Sequence, residues 1–235
     1  KQNYLYKGVQ SMSFVVVEGL DGSGKSTQVT LLKGYLKKAN IPFKYLHFPR
    51  LEEGVYGKLI ARFLRGEMGR IDQVDPYLVA LIFASDRGDA KEKICSWINE
   101  GYFVVVDRYV YSNIAFQCAK LNTADEQALL RDWILQFEFS HLGLPVPDIN
   151  LFLDVPLDFL QKKLKDSSLG PERAYFKGKT DIHEDDLYFQ KKVRDIYMSL
   201  REKVDNLKLI DCSSQNNQMQ SPKIIFEKLR KELPL

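Results

Sequence analysis

Cysteine is scarce: Cys95, Cys118 and Cys212 are the only three in 235 residues, far apart and odd in number. Their spacing supplies neither a disulfide framework nor a metal-ligand cluster, so reduced and mostly buried thiols in a cytosolic (cytoplasmic) protein are expected. His47, His141 and His183 show no ligand spacing either, and a metal site built on histidine is not expected. Long apolar runs are missing too. No stretch approaches the ~18 residues of a membrane-crossing helix, and the opening "KQNYLYKGVQS" lacks the apolar middle of a signal peptide. Neither sign of charge dominates, since 34 basic side chains face 31 acidic ones for a net +3. So small an excess gives no general reason to expect nucleic acid or a membrane as partner. With no repeat, low-complexity tract or linker, the chain reads as one domain over residues 12–235, preceded by an extension or tag-like segment at 1–11.

What is present is rhythm. Short apolar runs at Phe14 to Val17, Phe43 to Phe48, Phe103 to Val106, Ile149 to Leu153 and Leu207 to Ile210 read as five buried strands. Between them lie helical patterns such as Lys25 to Ala39, Pro76 to Glu100, Ser112 to Leu121 and Ala124 to His141. Such alternation predicts an α/β fold, a five-stranded parallel sheet with helices on both faces. Ligands then bind beyond the carboxyl ends of the strands. One segment breaks the pattern: "DSSLGPERAYFKGKTDIHED", 166–185, is polar and without period, as a functional lid would be. The acidic run Glu184, Asp185 and Asp186 where it ends suits the start of a helix. Trp97 and Trp133 are expected in the core.

Directly behind the first strand stands "EGLDGSGKST", in which Gly19, Gly24, Lys25 and Ser26 satisfy G-x-x-x-x-G-K-[ST]. The strand before it and the helix after it are the context that motif requires. Backbone nearly free of side chains wraps closely and turns several N–H groups inward, while the helix end adds positive potential. Gly19, Leu20, Asp21, Gly22, Ser23, Gly24, Lys25, Ser26 and Thr27 are therefore expected to hold a nucleoside triphosphate. Lys25 would reach its terminal phosphates, and the Ser26 hydroxyl would help hold Mg²⁺.

Two further absences narrow the reaction. No N-K-x-D tetrapeptide for guanine occurs, and the strand at Phe103 to Val106 ends in Asp107-Arg108-Tyr109 rather than Asp-Glu. A cation beside the metal-site carboxylate suits a second phosphorylated substrate better than a hydrolytic water. Phe83 and Arg87, four apart, share one helix face, while Asn113, Phe116 and Gln117 share another.

"FVVVEGLDGSGKSTQ", "HFPR", "FASDR", "DRYVYSNIAFQ" and "DIHEDDLYFQKKVRDIY" occur in the order seen in thymidylate kinases, and from about Phe14 to the C-terminus the chain resembles that family of P-loop NTPases. The resemblance implies transfer of the γ-phosphoryl group of ATP to dTMP, with Mg²⁺, and a homodimer built through the helices around Pro76 to Glu100 and Ser112 to Leu121. It places Asp21 on the acceptor's 3′-hydroxyl, and Arg50 and Arg108 on its phosphate. Phe83 would stack on thymine, and Arg87 would bond its carbonyl. Asn113 and Gln117 would reach the base edge, and Phe116, where relatives have Tyr, would lie against the sugar. Asp107 would orient the metal or its waters. With Gly22 and Ser23 in the phosphate loop, the catalytic cation is expected from the lid, where Arg173 stands with Lys177 and Lys179. Adenine would pack near Cys212 to Asn217. The alternatives are another nucleoside monophosphate or nucleoside kinase, or a regulator that binds nucleotide without turnover.

Overall fold

The computed structural model describes residues 13–69, 73–165 and 187–235. The expected extension, the lid at 166–185 with Arg173, Lys177 and Lys179, and the acidic run where it ends lie outside the described residues.

All five expected strands form one parallel sheet: β1 (Phe14–Gly19), β2 (Phe43–His47), β3 (Phe103–Asp107), β4 (Ile149–Asp154) and β5 (Leu207–Asp211), in the order β2-β3-β1-β4-β5. β1 and β3 are buried at every position, which explains why they read as unbroken apolar runs rather than alternating ones. The chain first builds outward from β1 to β2, returns through β3, and then crosses to the other side with β4. That reversal opens a crevice beyond the end of β1. Pairing places Val17 opposite Asp107 and Gly19 opposite Leu153, so the phosphate loop emerges beside Asp107 and Arg108.

The helices are α1 (Lys25–Lys38), α2 (Gly54–Leu64), α3 (Pro76–Asn99), α4 (Val110–Cys118), α5 (Ala124–Leu135), α6 (Leu157–Lys165), α7 (Leu187–Arg201) and α8 (Pro222–Lys231). Local chemistry starts several of them. Asp75 accepts from the N–H groups of Tyr77 and Leu78 ahead of Pro76, and Thr123 forms a reciprocal box with Glu126. The helix expected from Ala124 to His141 widens after Leu135 into a π-helical turn, Gln136–His141. Gly57 of α2 runs against the Arg50 carbonyl so closely that an added Cβ would lie 1.9 Å from that oxygen.

Valines and leucines of the sheet pack with Leu32, Leu36, Ile94, Ile114 and Tyr197 into the main core. A second, smaller cluster of Ile60, Phe63, Leu64 and Val79 lies between α2 and α3, with Phe83 against it. Trp97 and Trp133, expected inside, are half-buried at the core's edge. Trp133 uses its broad ring there, stacked at 5.1 Å on Phe137 and edge-on to Tyr77. None of the described helices is long and apolar enough to cross a membrane. Cys95, Cys118 and Cys212 form no disulfide.

Candidate active site

Beyond β1 the chain turns through Leu20 to Gly24 into α1. Gly24 holds φ 86°, a left-handed conformation that L side chains resist. No side chain caps the start of α1, so its first N–H groups and its positive end are left to the loop. Lys25 is buried, and its Nζ donates to the carbonyls of Leu20 at 2.8 Å and Gly19 at 3.3 Å. Ser26 and Thr27 are exposed beside it. The arrangement is a concave donor site for an anion, with one ammonium folded across it.

Asp107 closes β3 with no exposed surface, and neither carboxylate oxygen makes a hydrogen bond. His47 Nδ1 stands 3.3 Å away, off hydrogen-bond geometry. Burial raises this carboxyl, but His47, Lys25 and Arg108 outweigh it and the net shift is downward. A buried, charged carboxylate with unused lone pairs fits a group that receives a cation or its water shell. Among the described residues no three His, Cys, Asp or Glu side chains converge. Any cation here would share its sphere with a ligand rather than sit in an all-protein cage.

Arg108 follows at φ 65°, a left-handed backbone that costs a non-glycine residue about 1–3 kcal/mol. Its guanidinium pairs with the Asp21 carboxylate, donates to the Gly19 carbonyl at 3.1 Å and lies 5.1 Å over the Phe116 ring. Burial lowers its pKa, while Asp21 and the other nearby acids and phenol more than restore it, so the charge is permanent. Asp21 is held from its other side by Gln190 of α7, whose Nε2 donates at 3.2 Å to the carboxylate.

The crevice continues into a cavity lined by Phe48, Pro49, Phe83, Arg87, Asn113, Phe116 and Gln117, with Asp21 and Arg108 at its entrance. Arg87 is fully buried and forms two hydrogen bonds with Glu138 in the π-helical turn. Asn113 donates through Nδ2 to Glu138 at 2.9 Å and to the Ala80 carbonyl at 3.0 Å, which fixes its orientation and leaves Oδ1 unpaired. Gln117 Oε1 is likewise buried and unpaired. Phe116 packs against Phe189 of α7.

The structure thus brings together the expected phosphate loop, Asp107, Arg108, Phe83, Arg87, Asn113, Phe116 and Gln117. Arg50 is adjacent but turned away. Its guanidinium bonds Asp86 through Nε at 3.0 Å and the Asp86 carbonyl at 2.8 Å, and it does not line the cavity. Four residues to which sequence reasoning gives no role are Glu18, Glu138, Gln190 and Tyr197. Glu18 is buried at the end of β1 and accepts from the Tyr109 N–H, Ser112 and the Tyr197 hydroxyl. Burial raises its pKa, against those hydrogen bonds and Arg108. A signal for Glu138 exists: one charge inside the apolar, helical "WILQFEFSH".

Comparison with known proteins agrees with this geometry. The family model described as Thymidylate kinase matches residues 17–222. Thymidylate kinase of Plasmodium falciparum is 32% identical over 208 residues, covering 83% of this chain and 91% of the relative. That of Mycobacterium tuberculosis is 34% identical over 190 residues, covering 79% and 84%. Among solved structures, thymidylate kinase from Candida albicans superposes with a TM-score of 0.69 at 26% identity, covering 93% of this chain and 89% of that one. The five-stranded parallel sheet, the phosphate loop at its switch point and these matches lead to one conclusion: the chain belongs to the thymidylate kinase family.

Proposed function

We propose that the protein transfers the γ-phosphoryl group of ATP to the 5′-phosphate of dTMP, yielding ADP and dTDP. The observation that carries this reading is the Asp21–Arg108 pair, which joins two sites in one crevice: the donor loop around Lys25 and a cavity lined by Phe83, Arg87, Asn113 and Gln117. In the reaction an oxygen of the acceptor phosphate attacks the γ-phosphorus, and the bond to the bridging β–γ oxygen breaks, leaving ADP. The acceptor phosphate is already anionic, so no protein base is required. What the site supplies is alignment and positive charge.

Residues Gly19 to Thr27 take the triphosphate, Lys25 swinging from the loop carbonyls to its terminal oxygens. Ser26 and the Asp107 carboxylate, whose oxygens make no hydrogen bond, would hold Mg²⁺, which supplies charge neutralisation on the phosphates. Arg108, at the entrance, is placed to grip the acceptor phosphate; Arg50 does so only if it leaves Asp86. Deeper in, Phe83 offers a ring face to thymine. The unpaired oxygens of Asn113 and Gln117 accept from its N3–H, and Arg87 donates to a carbonyl. Phe116 lies against the sugar where a 2′-hydroxyl would project, with Asp21 towards the 3′-hydroxyl. Arg173, outside the described residues, stays the candidate for the cation on the transferring group.

A homodimer through α3 fits its exposed Leu78 and Leu81. α4 is buried within the chain along its whole length and offers a partner no face.

ADP release with ATP and a panel of nucleosides and monophosphates tests the assignment. We expect dTMP to be the preferred acceptor. Preference for a nucleoside or another monophosphate, or no acceptor-dependent ADP, would overturn it. The Candida albicans enzyme is described as having broad substrate specificity, so the panel includes purine monophosphates.

A further inference from the structure

We propose that Glu18 is a positioning residue for Arg108, pinning the start of α4 and the face of α7 so that the guanidinium is aimed into the crevice. The inference rests on the role given above to Arg108 and adds the device that holds it.

The geometry is specific. Glu18 Oε1 accepts from the Tyr109 N–H at 3.0 Å and the Ser112 N–H at 3.3 Å, while Oε2 accepts from the Ser112 hydroxyl at 2.5 Å and the Tyr197 hydroxyl at 2.8 Å. The two N–H groups can only donate, so Oε1 accepts from both, while the Ser112 and Tyr197 hydroxyls, 3.0 Å from each other, meet at Oε2. α4 has no cap of its own: Tyr109 precedes it at φ −148° without a capping hydrogen bond from its side chain. Glu18 supplies from β1 the acceptor that a local Ser or Asp ordinarily would.

Arg108 is caught between these bonds. Its N–H donates to the Val17 carbonyl at 3.0 Å, and the next N–H donates to Glu18, so the left-handed residue is fastened on both sides to β1. Arg108 Nη1 also lies 3.4 Å from the Ser112 hydroxyl that Glu18 holds. α7 completes the frame. Tyr197 bonds Glu18, and two turns back on the same helix face Gln190 bonds Asp21, the ion partner of Arg108. Without the Glu18 carboxylate, the left-handed backbone keeps only the Val17 bond on its other side, and the aim of the guanidinium is less tightly set.

The test is a double-mutant cycle read by kcat, KM and calorimetric dTMP affinity, with thermal unfolding alongside. Glu18→Gln keeps the shape but replaces an acceptor with a donor facing two hydroxyls. It should lower kcat/KM for dTMP by about tenfold and leave KM for ATP within about twofold. In an Arg108→Ala background the same change should cost less than about twofold in dTMP affinity, because there is no guanidinium left to aim. Tyr197→Phe removes one hydroxyl and should show a smaller effect with the same dependence on Arg108. It carries the cycle if Glu18→Gln does not fold. An equal loss in both backgrounds, or full activity in a folded Glu18→Gln protein, would overturn the proposal. If Arg108→Ala alone leaves dTMP binding and turnover intact, the role of Arg108 fails first, and the positioning role with it.

Discussion

Arg87 and Glu138 meet as a two-pronged pair, Nε to Oε2 at 2.5 Å and Nη2 to Oε1 at 2.7 Å, with side-chain exposures of 2% and 0%. The pair joins α3 to the π-helical turn and leaves Arg87 directed along the cavity wall. In a π-helical turn the widened spacing brings a side chain inward that an α-helix would carry past, a known use of such turns at functional sites.

Glu138→Ala should therefore destabilise the fold by roughly 3–5 kcal/mol, since a buried guanidinium is left unpaired. Urea denaturation measures it. Glu138→Gln should cost less stability yet still raise KM for dTMP, because Arg87 and Asn113 both lose a charged anchor. A stable Glu138→Ala protein with normal KM would show that the pair is incidental.

Lys25→Ala should abolish dTMP-dependent ADP formation, a loss of at least about 10²–10³ in kcat, without changing the melting temperature by more than a few degrees. The side chain bonds two loop carbonyls and supports no core packing.

Phe116→Ala should raise turnover of ribothymidine monophosphate relative to dTMP. On the proposed binding mode the ring fills space beside the sugar, backed by Phe189 with ring centroids 6.2 Å apart. An unchanged ratio of kcat/KM values would locate the gate elsewhere. The expected size is about 10-fold to 100-fold, the range for a pocket that discriminates by room alone.

Lys120, just past α4, supplies a pH test. Its Nζ is buried with no hydrogen-bond partner, 5.0 Å over the Phe63 ring, and burial lowers its pKa to about 7 against the pull of Asp75. Between about pH 7 and the unfolded value of about 10.4, the unfolded chain binds more protons here, so this group makes stability rise with pH. The destabilisation is complete below about pH 7 and gone above about pH 10.4. Lys120→Met should accordingly raise the melting temperature most at about pH 6, and the gain should shrink as pH approaches about 10.

Much of the architecture is legible in the sequence because β1 and β3, covered on both faces, are apolar up to Val17 and Val106. The phosphate loop is legible because its chemistry is local, spanning Gly19 to Thr27. Glu18 and Glu138 are not, since their partners are remote: Tyr197 lies 179 residues from Glu18, and Arg87 lies 51 from Glu138. The partner of Arg50 is hidden for the same reason. The place of Arg50 after Pro49 suggests the crevice, but Asp86, 36 residues on, draws its guanidinium aside. α2 carries a weak helical signature because Gly54 and Gly57 interrupt it, the second for the sake of the Arg50 carbonyl. The pattern places the start of α4 at Ser112, whereas the helix begins at Val110, since the acceptor for its first turn arrives from β1.

The small cluster of Ile60, Phe63, Leu64 and Val79 stands apart from the packing behind the sheet, and Phe83 leans on it edge-to-face through Phe63. The ring proposed to meet the base therefore rests on a packing unit distinct from the one beneath the phosphate loop. On the proposed binding mode, volume changes at Ile60 or Val79 reach Phe83, the ring assigned to the base, before they reach the sheet cluster that carries β1. On that reading, a directed library at this cluster would adjust the choice of base from a distance, at a site remote from the phosphates.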